Sequence, residues 1–275
     1  MITTSKGKVT DNNVKIEQNA TVKGDVFGAK IAAGNGHALK NSVVIDSATV
    51  DGNITGGFTT GSNFIKANEN RVTIQNGAKV KGHVFGGDSK LGVSSENSVS
   101  VNSATVDGNI TAGYNGQTAD KNSVTIKDAN VTGHVRAGKF TITGATTNEN
   151  TVTISGNSEV NGTIIAGDIF KGASANKNKV IIKDNAKVNN HVLAAYFKEG
   201  QQGEAAEANE NSVTISDNAI VSAKAGTTEY VVAADIEKGK RVDRNSITID
   251  GNAKVTANVL AAHTRNGDEA NENNV

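Results

Sequence analysis

The sequence predicts an all-β chain wound as a single-stranded parallel β-helix, a β-solenoid of about nine coils of 25–34 residues. Three observations predict it. An Asn-x-Val/Ile-x-Ile/Val motif recurs along the whole chain. Apolar and polar residues alternate with period two inside each copy. Spacing holds within the copies and drifts mainly at one place between them, as stacked coils require.

The motif anchors are Asn12, Asn41, Asn70, Asn97, Asn122, Asn150, Asn178, Asn211 and Asn245. Their intervals are 29, 29, 27, 25, 28, 28, 33 and 34, and a tenth anchor, Asn273, follows after 28. Each anchor opens a short strand whose apolar residues, such as Val43 and Ile45 or Val152 and Ile154, share one face. A polar turn follows, for example Ser216-Asp217-Asn218 or Asp250-Gly251-Asn252, built of residues that tolerate a left-handed backbone. A second segment then places Ala48, Val50, Gly52, Ile54 and Gly56 on one face, and Ala78, Val80, Gly82, Val84 and Gly86 in the next copy. The copy from Ala219 to Ala233 carries an insert around 224–229.

After the small pair (Gly56-Gly57, Gly86-Gly87, Ala261-Ala262) come about 8 to 15 residues of variable length before the next Asn. This corner is expected to hold projecting loops, the longest being Phe58 to Glu69 and Tyr196 to Glu210. One coil alone buries almost nothing, so the core must come from stacking Val43 on Val72 on Val99. At about 4.8 Å per coil the rod would be on the order of 43 Å long. A propeller or a row of hairpins would need antiparallel partners within each repeat, and more strands than a copy holds. Residues 1–275 therefore read as one continuous solenoid, and the ending at Asn274-Val275, in mid-pattern, suggests a fragment of a longer array.

Composition fits thin, repetitive β-structure. The chain has 30 Gly, no Pro, Cys or Trp, and 4% aromatic residues, so its interior must be Val, Ile and Ala. Lys+Arg and Asp+Glu both number 28, so nucleic acid is not expected as a partner. Met1 to Lys8 holds no apolar run of a signal peptide. No stretch approaches the ~20 apolar residues of a membrane span, so no direct membrane insertion is expected of this segment. Either the chain is cytosolic or its targeting segments lie outside this sequence.

A solenoid turns positions into columns. The anchor asparagines form one, read as a structural ladder of stacked amides. A polar column, Asp25, Asn53, His83, Asn109, His134, Thr163, His191 and Asn258, reads as a solvated outer face. Its histidines are two coils apart, too far to converge on a metal. The next outward column is Phe27, Thr55, Phe85, Thr111, Arg136, Ile165, Leu193, Val232 and Leu260. Either loops fold over this apolar stripe or it is exposed for docking. A threonine-rich column (Thr73, Thr125, Thr153, Thr214, Thr248) is broken by Lys15 and Ile181, which argues against an ice-binding array.

No acidic pair recurs beside a basic group as in polysaccharide-cleaving β-helices, and the motifs of calcium-binding and phosphate-cradling loops are absent. No catalytic residue, metal ligand or cofactor is therefore expected. The candidate binding residues are the aromatics placed in the variable loops: Phe58, Phe64, Tyr196 and Phe197.

Asn211-Ser212-Val213-Thr214-Ile215 followed by Asn218-Ala219, and Val80-Lys81-Gly82-His83-Val84-Phe85-Gly86-Gly87, resemble the passenger domains of bacterial type V autotransporters. The likeness is greatest to the repeat-rich adhesins of fusobacteria-like anaerobes, and it covers nearly the whole chain. It implies a right-handed parallel β-helix displayed on the bacterial cell surface. Attachment to the outer membrane would be through segments absent here, as part of a longer autotransporter chain. It further implies an adhesive or virulence role, with host or bacterial cell-surface proteins or glycans as partners. The family carries no shared functional residues to transfer. The alternatives are a pure spacer stalk without a ligand of its own and, less favoured, a polysaccharide-active β-helix.

Overall fold

The computed structural model describes residues 7–32, 34–61, 65–140, 145–200, 206–222, 230–237, 239–265 and 267–275. Among these the chain is all-β and forms a β-solenoid. Three parallel sheets run its length, each with nine strands stacked in chain order; in the third, Ala145–Thr146 pairs beside that stack as a tenth strand. The first runs from Asn13–Ile16 to Ser246–Ile249. The second runs from Thr21–Val22 to Lys254–Val255, and the third from Val26–Ile31 to Asn258–Thr264. Register is the one the motif predicts: Val72 lies between Val43 and Val99, and Ile74 between Ile45 and Val101.

The apolar faces of these sheets meet in one elongated core. Val43, Val72, Val99, Val124, Val152, Val180 and Val213 are at most 1% exposed. Ile45, Val50 and Ile54 and their equivalents pack against them. β-branched side chains suit this interior, since their stiff rotamers repeat at every coil.

The wall does not end at the small pair. The third sheet runs on through it, as in Ile54–Thr59, Val84–Ser89, Ile164–Ser174 and Val192–Gly200. The returning segment makes its own parallel ladder, from Lys8–Thr10, His37–Leu39 and Ala67–Asn68 through bridges such as Lys66 to Val93 and Val93 to Thr118. Between these two walls lies a second interior. It holds Ile31 and Ala38 early in the rod, then Phe140, then Ile169, Phe197, Ile236 and Val242 with several alanines. The expectation of projecting loops is thus corrected for Phe58, Tyr196 and Phe197, which stand in strands. Phe64 and the insert at 224–229 lie outside the described residues.

The anchor asparagines stand between the two interiors. From Asn41 onward each Oδ1 accepts two hydrogen bonds from the preceding anchor asparagine. Asn97 donates both its backbone N–H (2.9 Å) and its Nδ2 (3.2 Å) to Asn122, and Asn122 does the same to Asn150 (2.9 and 3.1 Å). The chain of amides runs from Asn12 to Asn273. Opposite it the wall must be thin. A Cβ on Gly113 would lie 2.4 Å from Asn122 Nδ2, and one on Gly57 would lie 2.5 Å from Asn70 Nδ2.

The residue before every anchor has a left-handed backbone. Asp11, Lys40, Glu69, Glu96, Lys121, Glu149, Lys177, Glu210, Arg244 and Glu272 have φ between 53° and 59°. All are charged and exposed. For a non-glycine residue this conformation costs roughly 1–2 kcal/mol, yet it turns each Asn inward. Two residues before the anchor a further column caps the next coil. Asn148 N–H donates to Asp120 Oδ1 (2.7 Å), Asn176 N–H to Asn148 Oδ1 (2.8 Å), and Asn209 N–H to Asn176 Oδ1 (2.7 Å).

Asn122→Ala would orphan two buried donors of Asn97, so it is expected to cost roughly 2–4 kcal/mol by urea denaturation. Gly113→Val, which drives a branched side chain into that amide, should cost about 1–3 kcal/mol by the same measurement.

Candidate functional site

Both members of the small pair face inward. Ideal Cβ atoms on Gly56 and Gly57 would each approach Asn70. Two consecutive inward residues break the alternation and bend the wall, so the outward columns on either side of the pair face each other across a furrow. One column is Phe27, Thr55, Phe85, Thr111, Arg136, Ile165, Leu193, Val232 and Leu260. The other, three residues on, is Lys30, Phe58, Asp88, Tyr114, Lys139, Asp168, Tyr196, Asp235 and His263.

The columns touch along the rod. The rings of Phe27 and Phe58 meet edge-on with centroids 6.0 Å apart, and Lys30 Nζ lies 4.3 Å from the Phe27 centroid. The rings of Phe85 and Tyr114 are 5.1 Å apart. Arg136 Nε donates to Asp168 Oδ2 at 2.7 Å. Ile165, Leu193 and Val232 cluster, with Tyr196 and Leu260 against them. His263 Nδ1 and Asp235 Oδ1 are 2.8 Å apart. The outward apolar stripe is therefore covered by its own sheet. Ile165, Leu193 and Val232 are only 5%, 6% and 1% exposed.

Over the later coils the furrow opens into a cavity of about 320 Å³. Its floor is Ile165 and Leu193. One rim is Thr163, His191 and Tyr230; the other includes Tyr196 and Asp235, with Arg265 beside them, and Arg136 closes the floor column at its end. Tyr230 lies nearly parallel to the His191 ring, at 8° and 5.8 Å between centroids, and is 37% exposed. The Tyr196 hydroxyl donates to Glu237 Oε1 at 3.4 Å. Burial and the neighbouring acidic groups Glu237, Asp235 and Asp168 push its phenol up to about 12. Of the candidate aromatics, Tyr196 is thus in the cavity and Phe58 is half-buried in the furrow further up. Phe197 points the other way and is fully buried in the second interior, so it has no surface to offer.

The first rim belongs to the polar column, which does more than face solvent. Six of its side chains accept a backbone N–H from the next coil; Thr163 instead donates its hydroxyl to Asn190 Oδ1 (3.1 Å), which takes the His191 N–H (2.8 Å) in its place. Asn53 N–H donates to Asp25 Oδ1 (2.8 Å), His83 N–H to Asn53 Oδ1 (2.8 Å) and Asn109 N–H to His83 Nδ1 (2.9 Å). His134 N–H donates to Asn109 Oδ1 (2.8 Å), Thr163 N–H to His134 Nδ1 (3.0 Å) and Tyr230 N–H to His191 Nδ1 (3.0 Å). His37 does likewise for Lys66 N–H at 3.0 Å. A backbone N–H can only donate, so each of these Nδ1 atoms presents its lone pair to the next coil. The signal in the sequence was weak because Asp, Asn and His share an acceptor atom rather than a residue type.

No family model, curated protein or solved structure matches the chain. What the fold and the furrow define is a class: a parallel β-solenoid rod with a polar-rimmed cavity on its third sheet.

Burial lowers the His134 pKa below 6.5, and Arg136 and Lys139 lower it further, against a smaller opposing effect of Asp168. The unfolded chain then binds the proton more readily than the folded one. The contribution to stability is complete above about pH 6.5 and is lost as pH falls through the depressed folded value. His134→Asn, which keeps an acceptor like Asn53 and Asn109, should flatten the loss of stability between about pH 7.5 and 5, read from urea midpoints.

Asp88 has the opposite sign. Burial pushes its carboxyl up to about 6, against the hydrogen bond from Asn115 and the charge of Lys90. Its favourable contribution is present below the ordinary value and lost as pH rises through about 6. Asp88→Asn should therefore stabilise the rod relative to the parent above pH 6, and the advantage should shrink on acidification.

Proposed function

We propose that this chain is part of a surface-displayed adhesive rod, of the kind the autotransporter-like repeat implies, and that its binding face is the furrow of the third sheet. The observation that carries this is the cavity over Ile165 and Leu193. A spacer needs only the wall. Here the wall keeps its columns while the furrow collects the aromatic and charged residues in which the coils differ, and Tyr230 is exposed beside an apolar floor. Variable residues on a rigid scaffold are where binding specificity resides. A binding role is also favoured over cleavage of a polysaccharide. Asp168 is held by Arg136 and Asp235 by His263, so these furrow carboxylates are already paired.

Microspheres coated with the chain should bind bacterial or host cells saturably. Leu193→Arg fills the floor of the cavity in a column that already accommodates Arg136. It should abolish that binding with an unchanged far-ultraviolet circular dichroism spectrum. Microspheres that bind no cell type would favour the spacer stalk.

A further inference from the structure

We propose that the cavity over Ile165 and Leu193 takes a short neutral saccharide, an inference that rests on the adhesive reading and names its ligand class. The shape of the site suggests the occupant. A pyranose has one apolar C–H face and a rim of hydroxyls. The cavity has an apolar floor of Ile165 and Leu193 and an exposed aromatic side chain, Tyr230, at its edge. Backing by His191 and the hydrogen bond from Tyr230 N–H to His191 Nδ1 hold the base of that side chain in place. Asp235 and Arg265 supply planar groups that bond pairs of adjacent hydroxyls, one accepting and the other donating. About 320 Å³ is at the lower end of the range for small-ligand sites and suits one or two sugar rings.

Charge argues against the other ligand classes. Arg136 is engaged by Asp168, and Asp235 faces both His263 and the cavity that Arg265 lines. No excess of either sign remains to hold a phosphate, a sulfated glycan or a metal cation. A lipid chain or apolar peptide would take water from Asp235 and Arg265 without offering either a hydrogen bond in return. A neutral, flat and amphipathic molecule satisfies both the floor and the rims.

The test is saturation-transfer NMR on the full chain with neutral di- and trisaccharides of glucose, galactose and N-acetylhexosamines, with sialylated and sulfated oligosaccharides as the charged arm. Cell binding by chain-coated microspheres is measured beside it, with and without the same sugars. Expected are transfer to a neutral sugar, competition by that sugar for cells, and a loss of affinity of about tenfold or more in Tyr230→Ala. That variant keeps the backbone donor to His191, and Thr248→Ala on the first sheet should leave affinity unchanged. Binding of charged sugars alone would overturn the inference, as would binding that Tyr230→Ala does not weaken. Cell adhesion that no neutral sugar competes would overturn it while leaving the adhesive reading intact. Sugar binding without cell adhesion would do the reverse.

Discussion

The amide ladder of the anchor asparagines is the constraint on which the rest of the coil depends. A buried carboxamide is costly unless its donors and acceptor are met; here the next anchor asparagine takes one Nδ2 donor, and a backbone carbonyl such as Val9, Ala38 or Ala208 takes the other. Turning that amide inward requires a left-handed residue before it, from Asp11 to Glu272. Making room for it requires a residue with little or no side chain across the coil, such as Gly57 or Gly113. The inward pair bends the wall, and the bend creates both the second interior and the furrow. One polar column thus accounts for the charged residue before each anchor Asn and for the pair of small residues across the coil.

What the sequence revealed and what it hid follow from the same physics. The first interior was readable because Val43, Val50 and Ile54 recur at fixed spacing in every coil. The second was not. Its walls begin where segment lengths drift, and it is filled with alanine and a few large residues, Phe140, Phe197 and Ile236, which recur irregularly. Phe197 illustrates the consequence. With no visible register beyond Ala195 it looked like a loop aromatic, but pairing with Ile169 and Ile236 continues the strand and turns it inward. The capping column was hidden for a different reason. From coil to coil the acceptor atom persists while the residue changes, and Asp25, Asn53 and His83 look unrelated until their Oδ1, Oδ1 and Nδ1 are seen to do one task.

The furrow shows how a repeat can acquire individuality without losing its fold. Its residues point out of the coil, so no ladder or core column restricts them. They nevertheless reach one another across the bend, and a change in one coil is felt by its neighbours, as Arg136 is by Asp168. Tyr196 and Leu193, from one strand, contribute to a cavity that Ile165 and Asp235 complete from adjacent coils. Recognition of a ligand there would depend on several repeats at once, although each repeat is held only by its immediate neighbours.

Near-identical coils raise the hazard that a strand pairs with the wrong copy, and the column of left-handed residues opposes it. Between Asp11 and Glu272 the charge changes sign at every step except from Glu69 to Glu96. Correct stacking therefore sets opposite charges side by side, as in Lys40–Glu69 at 3.7 Å and Glu210–Arg244 at 2.9 Å. A coil that skipped its neighbour would set Glu149 beside Glu210, Lys121 beside Lys177 and Lys177 beside Arg244. Each such pair is weak, since it is exposed and screened by water and salt. Their value is comparative, because the same residues that mildly favour the right neighbour mildly repel the next one along. The column acts as a tally of coil order, carried by the side chains that every anchor turn must expose.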